Sequence, residues 1–89
     1  MKIKRLNINW DRQFPMRAAV QIVRVARRFR SHIQLRVGAD VADARNVLSI
    51  LILVSSMTSY VDIETSGDDE QEALQAMVEH IHDTADRGA

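Results

Sequence analysis

The stretch Tyr60-Val61-Asp62-Ile63-Glu64-Thr65-Ser66-Gly67-Asp68-Asp69-Glu70-Gln71-Glu72-Ala73-Leu74 changes periodicity midway, and that change sets the order of elements around it. Val61, Ile63 and Thr65 alternate with Tyr60, Asp62 and Glu64, the signature of a strand with one buried face. Ser66-Gly67-Asp68 interrupts it with turn-forming residues. Asp69, followed three positions later by Glu72, resembles a capping box with an acid as the cap. Ala73, Leu74, Met77, Val78 and Ile81 then recur at the spacing of a helix with one apolar stripe.

Working outward, His32 to Val37 alternates in the same way, with Ile33, Leu35 and Val37 opposite His32, Gln34 and Arg36. Gly38-Ala39-Asp40 offers a turn into a short strand near Val41 to Asp43. Residues 46–54 are apolar, and Asn46 is a good N-cap, which favours a short helix over a buried strand. Upstream, Lys2 to Ile8 alternates with Leu6 and Ile8 on one face, and the polar segment Asn9 to Gln13 ends that strand. From Met16 to Phe29, Ala19, Ile22, Val23, Ala26 and Phe29 form an amphipathic stripe, with Arg24, Arg27 and Arg28 outside it. The order βαββαβα with short alternating strands predicts an α+β fold. A four-stranded, mostly antiparallel sheet is covered on one face by three helices, an open-faced sandwich in a single domain of residues 1–89.

Composition narrows the function. The 89 residues contain no Cys, so a disulfide or thiolate metal site is excluded and a reducing cytoplasm is the expected setting. The longest apolar run, Val47 to Val54, is far shorter than the roughly 20 residues that cross a bilayer, and no membrane insertion is expected. Charge is divided along the chain: residues 1–45 hold 11 Lys or Arg and 3 acids, residues 46–89 hold 1 Arg and 9 acids. Interleaving of the halves in a compact fold would let much of this charge neutralise itself.

Phe14-Pro15-Met16-Arg17-Ala18-Ala19 is the candidate site. Pro suits the first turn of a helix, whose free N–H groups attract anions, and Arg17 adds a permanent positive charge there. No His, Ser, Cys, Asp or Glu lies between positions 13 and 17, so the segment can bind an anion and supplies no nucleophile or general base. His80 and His82, two apart on a helix, cannot face one ligand, and His32 sits on an outward strand position; no metal or cofactor is expected. Trp10 and Phe14 flank a basic loop with Arg12 and read as packing over the helix start. Arg17, Arg24, Arg27, Arg28 and Arg30 could follow a phosphate backbone, but no nucleic-acid motif accompanies them, so this ranks below a protein-binding reading.

The order of elements and the residues within it resemble the histidine-containing phosphocarrier (HPr) family of the bacterial sugar phosphotransferase system. In that family the first helix opens with His-x-Arg-Pro-Ala, and the matching residues are Pro15, Met16, Arg17, Ala18 and Ala19. Gln21, Val23, Ala26, Phe29, Ser31 and Ile33 continue the match, as do Ala42, Ala44, Arg45 and Asn46 and the segment from Gly67 to Leu74. The resemblance implies phosphorylation of the His by Enzyme I from phosphoenolpyruvate, transfer to sugar-specific acceptors, and a regulatory Ser that a kinase esterifies. Pro15 stands at the His position and Asn46 at the Ser position. Proline's tertiary amide nitrogen has its lone pair delocalised into the carbonyl, and a carboxamide has no hydroxyl to esterify.

The resemblance further implies a docking surface of Met16, Arg17, Val20, Arg24 and Arg27 on the first helix with Val47, Leu48 and Leu51 on the short helix beside it. The expected function is a non-catalytic HPr-like module that has lost phosphoryl carriage and docks on phosphotransferase proteins or a transcription regulator. The competing reading is a carrier that uses Ser31, Ser55, Ser56 or His32 instead, brought close to Arg17.

Overall fold

Seven elements follow one another: β1 (Lys2–Asn7), α1 (Pro15–Ala26), β2 (His32–Val37), β3 (Asp40–Asp43), α2 (Val47–Ser56), β4 (Tyr60–Ser66) and α3 (Glu70–Gly88). The computed structural model describes residues 1–7, 15–56 and 60–88, and of 15, 54–56 and 82–88 the backbone alone. Its strands form one sheet in the order β1-β4-β2-β3, with every neighbouring pair antiparallel. The expected α+β open-faced architecture is the one observed.

Strand alternation divides the sheet into two chemically different faces. Ile33, Leu35, Ala42, Val61 and Ile63 point to one side and join Ala19, Ile22, Val23 and Ala26 of α1. Ile50 and Leu53 of α2 and Ala73, Met77 and Ile81 of α3 complete this core. The other face is charged. Register sets Arg5 opposite Asp62, and the guanidinium donates twice to that carboxylate, at 2.7 and 3.0 Å, while lying 4.3 Å from the Tyr60 ring centre. Glu64 is only 7% exposed, and accepts from Arg36 Nε at 2.8 Å and Gln34 Nε2 at 2.5 Å, which is what a buried carboxylate requires to stay ionised. Both ion pairs join the basic half of the sequence to the acidic half.

Local departures from the sequence reading have identifiable causes. The first helix ends at Ala26 and not Phe29, because the N–H groups of Arg28 and Phe29 bond the carbonyls of Val25 and Ala26, three residues back, and tighten the last turn. Phe29 still packs, half-buried, against the core. The hairpin turn is shorter than expected: Val37 already pairs with Asp40, leaving Gly38-Ala39 as a two-residue loop. Gly38 has φ 61° in its first position, as a type II′ connection demands. The last helix runs on to Gly88. Ile8, the segment Asn9 to Gln13, Trp10 and Phe14 lie outside the described residues.

The capping-box reading of Asp69 needs correction. Asp69 precedes the helix and its carbonyl receives the Ala73 N–H, but its carboxylate is turned across the fold. It accepts from Arg30 N at 2.9 Å, Ser31 N at 2.8 Å and Ser31 Oγ at 2.5 Å. These donors, the Ser31 hydroxyl foremost, pull its pKa down to about 2. The start of α3 is thereby tied to the segment leaving α1. Gly67 makes the approach possible: a Cβ there would stand 2.7 Å from Ser31 Oγ and 2.8 Å from Ser31 Cα, and its φ is +146°.

Two outcomes follow for stability. Gly67→Ala combines strain with a backbone clash and is expected to cost roughly 1–3 kcal/mol or more in urea denaturation. A carboxylate whose pKa is depressed on folding stabilises the fold above its unfolded pKa and loses that effect as pH falls through the folded value. Wild type should therefore lose stability between about pH 4 and pH 2. Asp69→Asn should have a smaller loss over that range, with the remaining slope due to Asp62, Glu64 and Glu70, whose pKa values are also lowered by their donors.

Candidate functional site

The helix α1 begins at Pro15, where the missing N–H forfeits no intrahelical bond, and its first turn contains no acid. The positive end of the helix is thus uncompensated by its own first turn, and Arg17, exposed in that turn, adds to it. Ala18 and Ala19, 5% and 0% exposed, seat the turn against the core. Small side chains permit that close seating. They leave Met16, 52% exposed, directed away from the core, with Arg24 and Arg27 exposed further along and Val20 half-buried.

The second helix packs beside the first. Asn46 caps it: its Oδ1 accepts from Ser49 N at 3.1 Å, its carbonyl receives Ile50 N, and its own N–H bonds Asp43 O. Asp43 Oδ1 in turn accepts from Arg45 N at 2.9 Å. Ile50 and Leu53 are core, Val47 and Leu51 are half-buried against it, and Leu48 is 66% exposed. Ile52, 63% exposed, was not among the residues expected at this surface. It lies four positions after Leu48, hence on the same helical face, and that spacing was available in the sequence. Arg45 also acts where no sequence signal pointed: its guanidinium donates to the carbonyls of Phe29 and Ser31, pinning the exit of α1 to the entry of α2.

Of the alternative phosphoryl acceptors, Ser31 and His32 lie away from the helix start. Ser31 follows the far end of α1, about 16 Å of helix away from Pro15, and is 1% exposed with its hydroxyl given to Asp69. His32 opens β2 at that same far end, with Nε2 3.4 Å from Gln34 Oε1 on the charged face of the sheet. The side chains of Ser55, Ser56 and His82 lie outside the described residues. Among the described residues no three His, Cys, Asp or Glu converge as metal ligands, and no helix is long and apolar enough to cross a membrane.

What the arrangement offers is a cationic helix start beside an apolar helix, with neither nucleophile nor base described at the start. The family model for the HPr component phosphorylation site of the phosphotransferase system matches residues 3–83. The chain belongs to the HPr family. It is 38% identical over 63 residues to the phosphocarrier protein NPr of Proteus mirabilis, covering 70% of each chain. It is 31% identical over 62 residues to the phosphocarrier protein HPr of Cupriavidus necator, again 70% of each. The crystal structure of HPr-C-His from Thermoanaerobacter tengcongensis superposes with a TM-score of 0.84 at 28% identity, over 97% of each chain. HPr-family proteins are phosphocarriers and not catalytic enzymes.

The cap that Asn46 provides can be tested by substitution. Asn46→Ala is expected to lower stability by about 1 kcal/mol through loss of the cap, and Asn46→Ser to retain nearly all of it, as read from urea midpoints.

Proposed function

We propose that this HPr-family protein binds the partners of phosphocarriers without carrying phosphoryl itself. On this reading it is a cytoplasmic regulatory module that occupies a surface on a phosphotransferase enzyme or a transcription regulator otherwise visited by an active HPr. The observation that carries the reading is Pro15 at the position of the family's phosphorylated His. A phosphoryl group must be accepted by a lone pair, and that of the Pro15 tertiary amide nitrogen is delocalised into the carbonyl. Asn46 supports the same reading at the regulatory position, since an uncharged carboxamide neither accepts phosphate nor imitates its charge.

The docking surface comprises Met16, Arg17, Val20, Arg24 and Arg27 with Val47, Leu48 and Leu51, to which Ile52 is added. Exposed Met16, Leu48 and Ile52 provide apolar anchors, and the arginines provide a charged rim, an arrangement typical of protein interfaces. Met16, Leu48 and Ile52 contribute little to the core, so their exposure needs a reason other than folding.

Incubation with phosphoenolpyruvate and Enzyme I, read by intact mass, tests the loss of carriage. No gain is expected under conditions that fully phosphorylate an active HPr; one acid-labile phosphoryl group per chain would establish the competing reading of a non-standard acceptor. Docking is tested by competition. Excess protein should slow phosphoryl transfer from Enzyme I to an active HPr, and Leu48→Asp should weaken that inhibition at least about tenfold without lowering stability.

A further inference from the structure

The arginines of this chain fall into two groups by what holds them. Arg5 and Arg36 are paired with carboxylates, and Arg45 is spent on backbone carbonyls. Arg24 and Arg28 form no ion pair among the described residues, although the second half of the chain is rich in acids. Arg24 lies in α1 and Arg28 in the tightened turn that follows it, and together with Gln21 and Val25 they line one wall of a groove whose other wall is Ala76, Glu79 and His80 of α3. The spacings 21, 24, 25 and 76, 79, 80 put each helical set on a single face. Ala76 is the smallest side chain available short of glycine, and it holds the groove open above a floor made by the buried Val25.

We propose that this groove between α1 and α3 binds a small phosphate-bearing anion, a phosphomonoester or diphosphate. Two guanidiniums on successive turns present forked donors to a tetrahedral group with several oxygens, which suits phosphate better than a single carboxylate. Gln21 adds a half-buried polar side chain to the same wall. The groove measures roughly 400 Å³, near the lower end of the about 300–1,000 Å³ of small-molecule sites, so it takes a compact ligand. Glu79 opposes the anion; its Oε1 is 3.4 Å from Gln75 Nε2, along α3. Arg28, Gln21, Glu79 and His80 lie outside the proposed docking surface, and Arg24 alone is common to both.

The probe is pyrophosphate, added to the full chain at constant ionic strength against sodium chloride and followed through backbone amide resonances. Saturable shifts confined to residues 21–28 and 76–80 are expected. The double substitution Arg24→Gln/Arg28→Gln should weaken binding at least about tenfold, and Glu79→Gln should strengthen it several-fold; all three side chains are exposed or half-exposed, so the fold should persist. Absence of saturable shifts in wild type overturns the proposal, as do shifts centred on residues 16–18 at the start of α1. Binding of a short DNA duplex in preference to pyrophosphate, with Arg27 and Arg30 contributing as much as Arg24 and Arg28, would equally overturn it by assigning the charge to a polyanion.

Discussion

The carboxylate of Asp69 is the constraint on which the packing of the helices against the sheet depends. It holds two consecutive backbone N–H groups and a buried hydroxyl from the segment leaving α1, at 2.5 to 2.9 Å, while its own backbone begins α3. A buried Ser hydroxyl and N–H deprived of that acceptor would each lose a hydrogen bond to a charged group, a stronger bond than one between neutral groups. Gly67 lets the two backbones meet, and Arg45 takes the carbonyls of Phe29 and Ser31 on the other side of the same segment. The residues from 29 to 31 are therefore fixed through both their donors and their acceptors. α1 can pack at one angle because the chain leaving it has one path.

That fixed path has an electrostatic consequence. The chain begins strongly basic and ends strongly acidic, yet the fold uses only part of this difference internally. On the charged face of the sheet, register sets both Arg5 and Arg36 opposite Asp62; Arg5 bonds Asp62 while Arg36 reaches diagonally to Glu64, and both carboxylates are held below their ordinary pKa by the guanidiniums. On the helical side, among the described residues, no ion pair joins Arg24 or Arg28 to an acid of α3, and both line the groove between the helices.

Much of this was legible in the sequence because it depends on periodicity. The strand from Tyr60, the stripe of α1, the alternation around Leu35 and the Asn46 cap were readable from residue spacing, and the fold class followed from their order. Contacts between distant segments were not. Asp69 followed by Glu72 has the local form of a capping box, and only tertiary packing shows that the carboxylate serves Ser31. Arg45 was read through its neighbour Asn46, and its bonds to carbonyls 14 and 16 residues earlier have no local signature. Ile52 was missed for a different reason. α2 is apolar nearly all round, so which of its faces reaches solvent is decided by what packs on it, although the spacing from Leu48 was there to be used.

The two helix starts carry residues suited to those positions in their own right. Position 15 is the first residue of α1, where a pyrrolidine ring presets the helical φ. Position 46 is an N-cap, which Asn fills as well as Ser does. Ala18, Ala19, Ile50 and Leu53 are the buried residues that seat the two helices. The surface formed by Met16, Leu48 and the arginines therefore rests on interactions that lie in the core and in the Asp69 clamp.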